Sequence, residues 1–253
     1  MFFFTNVPLI YEQSLRLQEA DTYLTYKNNV EAHQLLENII GSNPSKGIEF
    51  LALEMKARML VRHGGGKFDE EVRLIGKYMM EEYPKEYNGF HWKGLTEFRI
   101  AMRNYSIKRD NLPLNISKLH IALDNFNKSI DRFETQIKDR INKVEVLIVL
   151  GRYNEAITAI NNAKDSVKLQ KDFHVLILDY LRILCLILKE DPYTNKKADL
   201  FKRIKNLPPK VAFNYSSLEL KSAFSNPLLD QRLKIKLEEI MKEIKHLNDP
   251  EVS

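Results

Sequence analysis

Apolar residues recur at three- and four-residue steps over most of the chain, which is the spacing that places them on one face of an α-helix. Between residues 10 and 44 this pattern occurs twice, with the polar residues Lys27, Asn28 and Asn29 between the two runs. Pro44 follows the second run, and proline ends a helix because it lacks a backbone donor. The segment therefore predicts two amphipathic helices joined by a turn. The predicted apolar faces are Leu15, Leu17, Ala20, Tyr23 and Leu24 in the first helix, and Ala32, Leu35, Leu36, Ile39 and Ile40 in the second.

The same alternation of helical runs and breaks continues along the chain. Pro208 and Pro209 interrupt it, and residues 211–247 then predict capping helices, the last of them at 228–247. An amphipathic last helix is what a stack of helix pairs needs to cover its open end. Its predicted apolar stripe is Leu229, Leu233, Leu237, Ile240 and Ile244. The predicted helix pairs cover residues 10–44, 47–84, 86–131, 136–168 and 171–205.

The first pair resembles a tetratricopeptide repeat, a 34-residue unit of two helices. That family places small residues where the two helices cross, an aromatic residue in the first helix and proline at the exit. The residues at the matching spacings are Ala20, Tyr23, Ala32, Leu36, Ile39 and Pro44. The segment GRYNEAITAINNA at 151–163 is the most similar to the family in this chain. The small residue of each second helix falls at Ala32, Val72, Ala122, Ala156 and Ala198, so the repeat is degenerate and contains insertions such as the loop 105–116.

The resemblance covers about residues 10–205 and implies an all-α fold. We expect a right-handed superhelical stack of antiparallel helix pairs, a tetratricopeptide-like α-solenoid of about 10–12 helices, forming a single domain over residues 1–253. The spacing of Ala20 and Ala32 predicts that these small side chains lie opposite each other, so that their helices approach closely. An unrelated helical bundle of similar length is the alternative that periodicity leaves open.

Charge is distributed unevenly along the 253 residues, whose formal net charge is +5. Residues 1–90 carry 10 Lys/Arg and 13 Asp/Glu, a balance of −3, and residues 91–253 carry 29 and 21, a balance of +8. The basic part is compatible with an acidic protein surface or with nucleic-acid phosphates, although charged runs on helices are usually solvated faces. The candidate phosphate contacts are Lys196, Lys197, Lys202 and Arg203.

Motifs for catalysis or metal binding are weak. The glycine run at 64–66 lacks the spacing of a phosphate loop, and Phe68 stands where a hydroxyl residue is needed. Arg58 and His63 have a spacing that resembles the active site of one helical ribonuclease family, but Met59 stands where that family usually carries a polar side chain. The six histidines are scattered, so no two form a ligand pair on one helix turn. We expect no catalytic residues, no metal site and no cofactor.

The single cysteine, Cys185, excludes an internal disulfide, and its apolar surroundings predict a buried side chain. The first residues lack the basic region of a signal peptide and meet Pro8 early. Asp179 and Arg182 interrupt the most apolar run, 173–188, so no segment is typical of a membrane helix. We expect a soluble, cytoplasmic protein with no membrane partner.

The first helix of the third pair provides the strongest candidate binding surface. Trp92, Thr96, Arg99 and Arg103 recur at steps of four, three and four residues, so they share one helix face. Aromatic and arginine side chains dominate many interfaces, and guanidinium groups favour an acidic or carboxylate-bearing partner. A core position for Trp92 with solvated arginines is the alternative that the spacing leaves open.

The resemblance implies a concave groove lined mainly by first helices, which suits an extended peptide or a partner helix. We expect a non-enzymatic adaptor or scaffold that binds another protein in this groove as a subunit of a larger complex. Leu17 and Asp21 stand where chaperone-binding members of the family carry Lys and Asn, so that mode is not expected. The alternatives are a nucleic-acid-associated helical repeat and a ligand-sensing regulatory domain.

Overall fold

The computed structural model describes residues 7–63, 66–107, 115–166, 172–207, 213, 215, 218–224 and 229–247. This part of the chain contains twelve α-helices and no β-strand. None of these helices is both long enough and apolar enough to span a lipid bilayer. The helices are α1 (Val7–Thr25), α2 (Asn29–Gly41), α3 (Lys46–His63), α4 (Asp69–Glu82), α5 (Asn88–Ile107), α6 (Ile116–Arg132), α7 (Ile137–Val149), α8 (Tyr153–Ser166), α9 (Asp172–Leu188), α10 (Thr194–Lys205), α11 (Leu218–Phe224) and α12 (Gln231–Leu247).

Helices lie at about the positions that the predicted pairs require, and the pairing of α5 with α6 stays a prediction. α1 with α2, α3 with α4, α7 with α8, and α9 with α10 pack against each other as neighbours in sequence. The predicted loop 105–116 begins later than expected, because α5 continues through Ile107, and its residues 108–114 lie outside the described part of the chain. Pro208, Pro209 and the glycines at 64 and 65 also lie outside it.

The chain divides into two compact units, residues 1–96 and 97–253, with the boundary inside α5. We call them unit 1 and unit 2. A single domain over residues 1–253 therefore stays a prediction.

Two apolar clusters hold unit 1 together. Ala20 and Ala32 are both fully buried, and the pair α1 and α2 is closely packed, as the repeat spacing predicts. The two alanines belong to different clusters, however, so their direct apposition stays a prediction. The first cluster contains Leu17, Ala20, Leu36, Ile39, Ile48 and Ala52. The second contains Ala32, Leu53, Ala57, Met59, Leu60, Val72, Ile75, Met79 and Trp92.

A close helix crossing in unit 1 lies between α4 and α5 at two glycines. A Cβ atom built on Gly76 would lie 2.9 Å from the backbone nitrogen of Lys93 and 3.0 Å from the carbonyl oxygen of Gly89. A Cβ atom on Gly89 would lie 2.7 Å from the backbone nitrogen of Met80. Because the neighbouring atoms belong to the backbone, they cannot move aside as a flexible side chain would. The two helices therefore depend on glycine at both positions.

A polar cluster joins α3 to α4 on the surface of unit 1. Glu49 accepts hydrogen bonds from the hydroxyls of Tyr78 at 2.6 Å and Tyr83 at 2.5 Å. Lys46 forms an ion pair with Glu82 at 2.6 Å and lies 3.5 Å from Glu49. Burial disfavours the charged form of Glu49, but the hydrogen bonds from the two tyrosines and the charge of Lys46 outweigh it and lower the pKa of that carboxyl. Neutral pH therefore keeps Glu49 ionised.

The predicted apolar face of α1 is correct for Leu17 and Ala20 but wrong for Leu15, which is 46% exposed. Leu15 lies two residues from Leu17, and a helix turns by about 100° per residue, so the two side chains point to nearly opposite sides. Counting apolar residues in the segment did not separate these two faces.

Unit 2 is built around α7 and α9, whose buried side chains point in most directions around each helix. A helix that is apolar nearly all round must be enclosed by other elements. α7 contacts α6, α8, α9 and α11, and α9 contacts α7, α8, α10 and α12. The buried residues of α7 are Ile137, Asp139, Ile141, Val144, Glu145, Val146, Leu147 and Ile148. Those of α9 are Leu176, Ile177, Leu178, Tyr180, Leu181, Ile183, Leu184, Cys185 and Ile187.

The small-residue positions of the second helices agree with the repeat in four pairs. Ala32, Val72, Ala122 and Ala156 are fully buried, as predicted. Ala198 of the fifth pair is exposed, so its prediction as a helix-crossing residue is wrong. α10 buries Leu200 and Ile204 instead, which shifts its contact face relative to the family pattern.

The capping prediction is confirmed for the last helix. α12 packs against α9 and α10, and Leu237, Ile240 and Ile244 of the predicted stripe are buried. α11 was expected to cover the end of the stack but lies against α7, the first helix of the pair before the last one.

Replacing Gly76 with alanine tests the close crossing of α4 and α5. We expect Gly76→Ala to lower the free energy of unfolding by about 1–3 kcal/mol, since overpacking a rigid contact forces a backbone shift. Gly47 in the first turn of α3 is the matched control, because nothing lies within 4 Å of a Cβ atom built there. Gly47→Ala should leave stability unchanged or raise it by up to about 1 kcal/mol. Urea unfolding measures both, and equal stability of the two variants would contradict the prediction.

Candidate partner-binding site

The structure places Trp92 and Thr96 in the core of unit 1 and not on its surface. The side chain of Trp92 is 5% exposed, and its indole nitrogen donates a hydrogen bond to Glu54 at 2.6 Å. The Thr96 hydroxyl donates to the carbonyl oxygen of Trp92 at 2.9 Å. The prediction that these two residues contact a partner is therefore wrong for this structure. The spacing correctly placed them on one face, but it did not show that this face is turned inward.

Glu54 is the reason that a tryptophan is accommodated at position 92. One of its carboxylate oxygens accepts hydrogen bonds from the Trp92 indole and from the side-chain amide of Asn88 at 2.9 Å. The other lies 3.5 Å from Arg58, one turn further along α3. A buried indole N–H needs an acceptor, and this carboxylate provides one. Arg58 thus pairs with Glu54 in α3, and His63 lies exposed at the end of the same helix.

Arg99 and Arg103 are partly exposed on the C-terminal half of α5. Their role as contacts for an acidic partner stays a prediction.

The basic residues of α10 divide into two groups. Lys197 donates to Glu243 of α12 at 2.8 Å, and Arg203 donates to Asp179 of α9 at 2.6 Å. These two predicted phosphate contacts hold α10 against its neighbours inside unit 2. Lys196 and Lys202, the other two, are exposed and form no ion pair within the described part of the chain.

Asp179 joins three helices of unit 2. It forms ion pairs with Lys164 of α8 and with Arg203 of α10, and its own side chain is only 16% exposed. Partly buried pairs of this kind fix the position of helices more than isolated surface pairs do. The charge that interrupts the apolar run 173–188 in the sequence therefore stabilises the packing of α9.

One group of potential metal ligands lies in the described part of unit 1. His33, Glu37 and Glu71 place one ligand atom each within 4.8 Å of one another. The ammonium group of Lys56 contacts both carboxylates, at 2.6 Å from Glu71. Burial opposes the charge of Lys56, but its hydrogen bonds to the two carboxylates outweigh burial and raise its pKa. Lys56 thus provides the positive charge that these carboxylates require, and we assign the group a structural role.

An aromatic cluster on α7 and α9 was not predicted from the sequence. Phe213 and Tyr215, which follow α10 and lie outside any helix, pack against Phe173 and Tyr180 of α9. The Tyr215 hydroxyl donates a hydrogen bond to Glu145 of α7. Burial and the nearby negative charge of Glu145 raise the pKa of Tyr180, so that phenol stays neutral. Sequence periodicity could not find this cluster, because it joins residues 33 to 70 positions apart.

α1 carries a second apolar face that none of the described elements of unit 1 covers. Tyr11, Leu15 and Tyr26 are 66%, 46% and 79% exposed. Tyr26 directly follows α1, and its backbone N–H still donates to the carbonyl oxygen of Thr22, four residues earlier, as in a helix. At about 100° per residue, the three side chains lie within one quarter of the circumference, opposite the buried residues Leu17 and Ala20. The outward apolar face of α1, defined by Tyr11, Leu15 and Tyr26, is the candidate binding surface of unit 1.

The fold is similar to two solved structures. TTC0263, a thermophilic TPR protein of Thermus thermophilus, matches with a TM-score of 0.55 and 12% identity, over 91% of this chain and 99% of that chain. Human IFIT1, solved as a dimer with m7Gppp-AAAA, matches with a TM-score of 0.57 and 13% identity, over 93% of this chain. The match covers 53% of the IFIT1 chain, so this chain spans about half its length.

This chain has a tetratricopeptide-like helical-repeat fold. No protein-family model matches the sequence, and no curated protein matches it. At identities of 12–13%, the similarity concerns the fold alone. Folds of this kind are typically non-catalytic and commonly bind other macromolecules. The tetratricopeptide resemblance of the sequence is therefore confirmed at the level of architecture.

The hydrogen bond between Trp92 and Glu54 can be measured with a double-mutant cycle. We expect Trp92→Phe and Glu54→Gln to show a coupling of about 1–3 kcal/mol in the free energy of unfolding, because the bond joins an indole to a charged, partly buried acceptor. Arg58→Gln with Glu54→Gln is the matched control, and its coupling should not exceed about 0.5 kcal/mol for a half-exposed pair on one helix. A coupling near zero would contradict the hydrogen bond between Trp92 and Glu54.

Proposed function

We propose that the chain is a non-enzymatic adaptor that binds a partner helix on the outward apolar face of α1. The observation that supports it is the exposure of Tyr11, Leu15 and Tyr26 on the side of α1 opposite its buried face. Monomeric proteins rarely leave a row of large apolar side chains exposed on one helix face. Within a repeat fold, such a face is where a further element stacks. A partner helix supplies that element.

The chemistry of α1 defines the kind of helix that fits. Tyrosine is enriched among residues that dominate binding energy, since it buries a large ring and keeps a polar hydroxyl. α1 also carries Glu12, Glu19 and Asp21 against a single Arg16, a balance of −2. The complementary partner is therefore an amphipathic helix whose apolar residues recur at three- and four-residue steps and whose flanks are basic.

The wider proposal places the protein in the cytoplasm as a subunit of a larger complex. Arg99 and Arg103 in unit 2 are separate candidates for contacting a carboxylate of an acidic partner, because guanidinium groups bind carboxylates in a bidentate manner.

A paired pull-down tests the adaptor proposal. The double variant Leu15→Ser/Tyr26→Ser removes the apolar face of α1, and Ile116→Ser, at a position 52% exposed in unit 2, is the matched control. All three side chains are exposed, so the variants should retain the stability of the unaltered protein. We expect the unaltered chain and the control variant to recover one partner protein from native lysate in near-equal amounts. Its recovery should fall at least about tenfold with the double variant, as expected when two interface anchors are lost.

Two results would contradict the proposal. One is recovery of no protein in stoichiometric amount, and the other is equal recovery by the unaltered chain and the double variant. Circular dichroism and urea unfolding of each variant show whether a loss of binding is caused by a loss of folding.

Nucleic-acid binding is the second candidate, and it is supported by the exposed lysines of α10. Lys196, Lys202 and Lys205 are exposed, whereas Lys197 and Arg203 are used in internal ion pairs. The human IFIT1 structure contains m7Gppp-AAAA, which gives the same candidate a fold-level precedent. The described side chains of α10 offer no second aromatic next to Phe201, so a sequence-independent contact to phosphates is the form that fits.

Salt dependence distinguishes this candidate from the adaptor. If α10 contacts phosphates, the affinity for a single-stranded RNA should fall steeply between about 50 and 200 mM salt. Lys196→Glu/Lys202→Glu should weaken the binding and reduce the salt slope, whereas Leu15→Ser/Tyr26→Ser should change neither. A gel shift measures both quantities. Binding that is undetectable at the lower salt concentration, or that is unaffected by the lysine variants, would rule out this role for α10.

A further inference from the structure

Lys143 of α7 is a partly buried lysine that contacts no carboxylate within the described part of the chain. Lys56 of α3 shows the usual arrangement, because its buried ammonium group contacts the carboxylates of both Glu37 and Glu71. Taking a charge out of water is costly unless an opposite charge in contact with it compensates for the loss of hydration. Lys143 therefore carries a charge that the fold does not compensate by direct contact.

The charges around Lys143 come from α7 itself and from the two helices next to it in sequence. Arg140 lies three residues earlier on α7, on the same helix face. Asp131 in the last turn of α6 and Glu155 in the first turn of α8 attract the ammonium group, whereas Arg152, directly before α8, repels it. Burial and the charge of Arg140 outweigh both carboxylates and lower the pKa of Lys143. More of this amine is therefore neutral at a given pH than of an exposed lysine.

These surroundings favour the reactive form of Lys143. The neutral amine is the form of lysine that attacks a carbonyl carbon, and proteins produce it near neutral pH by burial or by a neighbouring cation. Lys143 combines both conditions and is still partly exposed to solvent. A small acyl donor can therefore reach it from solution.

Arg140 adds a binding group for an anion beside this amine. Its Nε and Nη2 atoms donate hydrogen bonds to the carbonyl oxygen of Glu134, at 3.0 and 2.9 Å, which orients the guanidinium group. A carbonyl oxygen carries no net charge, so Arg140 keeps its full positive charge. Arg152 differs, because it donates to both carboxylate oxygens of Glu155, at 2.7 and 2.6 Å. Arg140 is therefore the cation next to Lys143 that is free to attract an anion.

The combination of an amine and a guanidinium group on one helix face selects a class of acyl donor. Guanidinium groups bind phosphate oxygens through strong, directed hydrogen bonds. In an acyl phosphate, the phosphate is attached directly to the carbonyl carbon. A guanidinium group one helix turn from the amine can thus contact the phosphate while the amine faces the carbonyl group.

We propose that Lys143 is a site of N-acylation by acyl phosphates, and that Arg140 positions the phosphate of the donor. The lone pair of the neutral amine forms a bond to the carbonyl carbon, and the bond from that carbon to the phosphate oxygen breaks. Phosphate leaves with this electron pair and takes the proton that the nitrogen releases, while Arg140 stabilises the charge that develops on it. The product is a neutral amide, which removes a charge that burial and Arg140 oppose. This reaction concerns unit 2 and does not depend on the proposed role of α1.

Treatment of the full-length chain with acetyl phosphate, followed by quantitative mass spectrometry, tests the proposal. Lys128 of α6 is the internal control, because its side chain is 48% exposed and pairs with Asp124 at 2.7 Å. At about pH 7.5 we expect Lys143 to be acetylated at least about threefold faster than Lys128, although Lys143 is less exposed. Arg140→Gln should slow the reaction at Lys143 about three- to tenfold and leave Lys128 unchanged, as expected when one charge-assisted contact is lost. Arg140→Lys keeps the charge and should restore most of the rate.

A second donor and a pH profile separate the role of Arg140 from simple accessibility. The N-hydroxysuccinimide ester of acetic acid carries no phosphate, so its preference for Lys143 over Lys128 should be smaller than that of acetyl phosphate. With either donor, the rate at Lys143 should reach half of its maximum at a lower pH than the rate at Lys128, because the pKa of Lys143 is lowered. Urea unfolding shows whether each variant folds, and the comparison of the two donors on the unaltered chain decides the matter if Arg140→Gln does not. Acetylation of Lys143 no faster than that of Lys128, or the same preference with both donors, would overturn the proposal.

Discussion

A helix with an apolar stripe must place that stripe against another element, and one pair of helices cannot cover all of its apolar surface alone. Most of this chain follows from that requirement. In unit 1, α2 and α3 cover the inner face of α1, and α5 approaches α4 so closely that glycine is needed at positions 76 and 89. In unit 2, α12 covers α9 and α10, and α11 lies on α7. The outer face of α1 is one place in the described part of unit 1 where large apolar side chains stay exposed along one helix.

Several charged residues of this protein hold helices together. Lys56 lies between two carboxylates of unit 1, and Asp179 lies between two cations of unit 2. Lys197 and Arg203 of the basic C-terminal region are paired in the same way. These pairs leave the net excess of positive charge after residue 90 unchanged, because each also uses a carboxylate of the same region. They do reduce the number of predicted phosphate contacts that are available to a partner.

The sequence predicted the architecture well because helix periodicity and helix breaks are local signals. The positions of most helices, the buried alanines at positions 32, 122 and 156, and the last helix all followed from spacings of a few residues. The candidate site was predicted less well. Trp92 and Thr96 share a face as expected, but whether a face is turned to the core depends on a distant residue, here Glu54 of α3. The contacts of Phe213 and Tyr215 with α7 and α9 likewise join distant parts of the chain, and no short-range pattern encodes them.

The enclosure of α9 protects the single cysteine of the chain from solvent. Cys185 is fully buried, and burial raises the pKa of its thiol to about 12. Because the thiolate is the nucleophilic form, this side chain is chemically inert at neutral pH while α9 stays covered. It becomes reactive only when the surrounding helices separate. The chain thus contains one natural reporter of opening in unit 2, at a position where oxidation and alkylation would register unfolding without an added label.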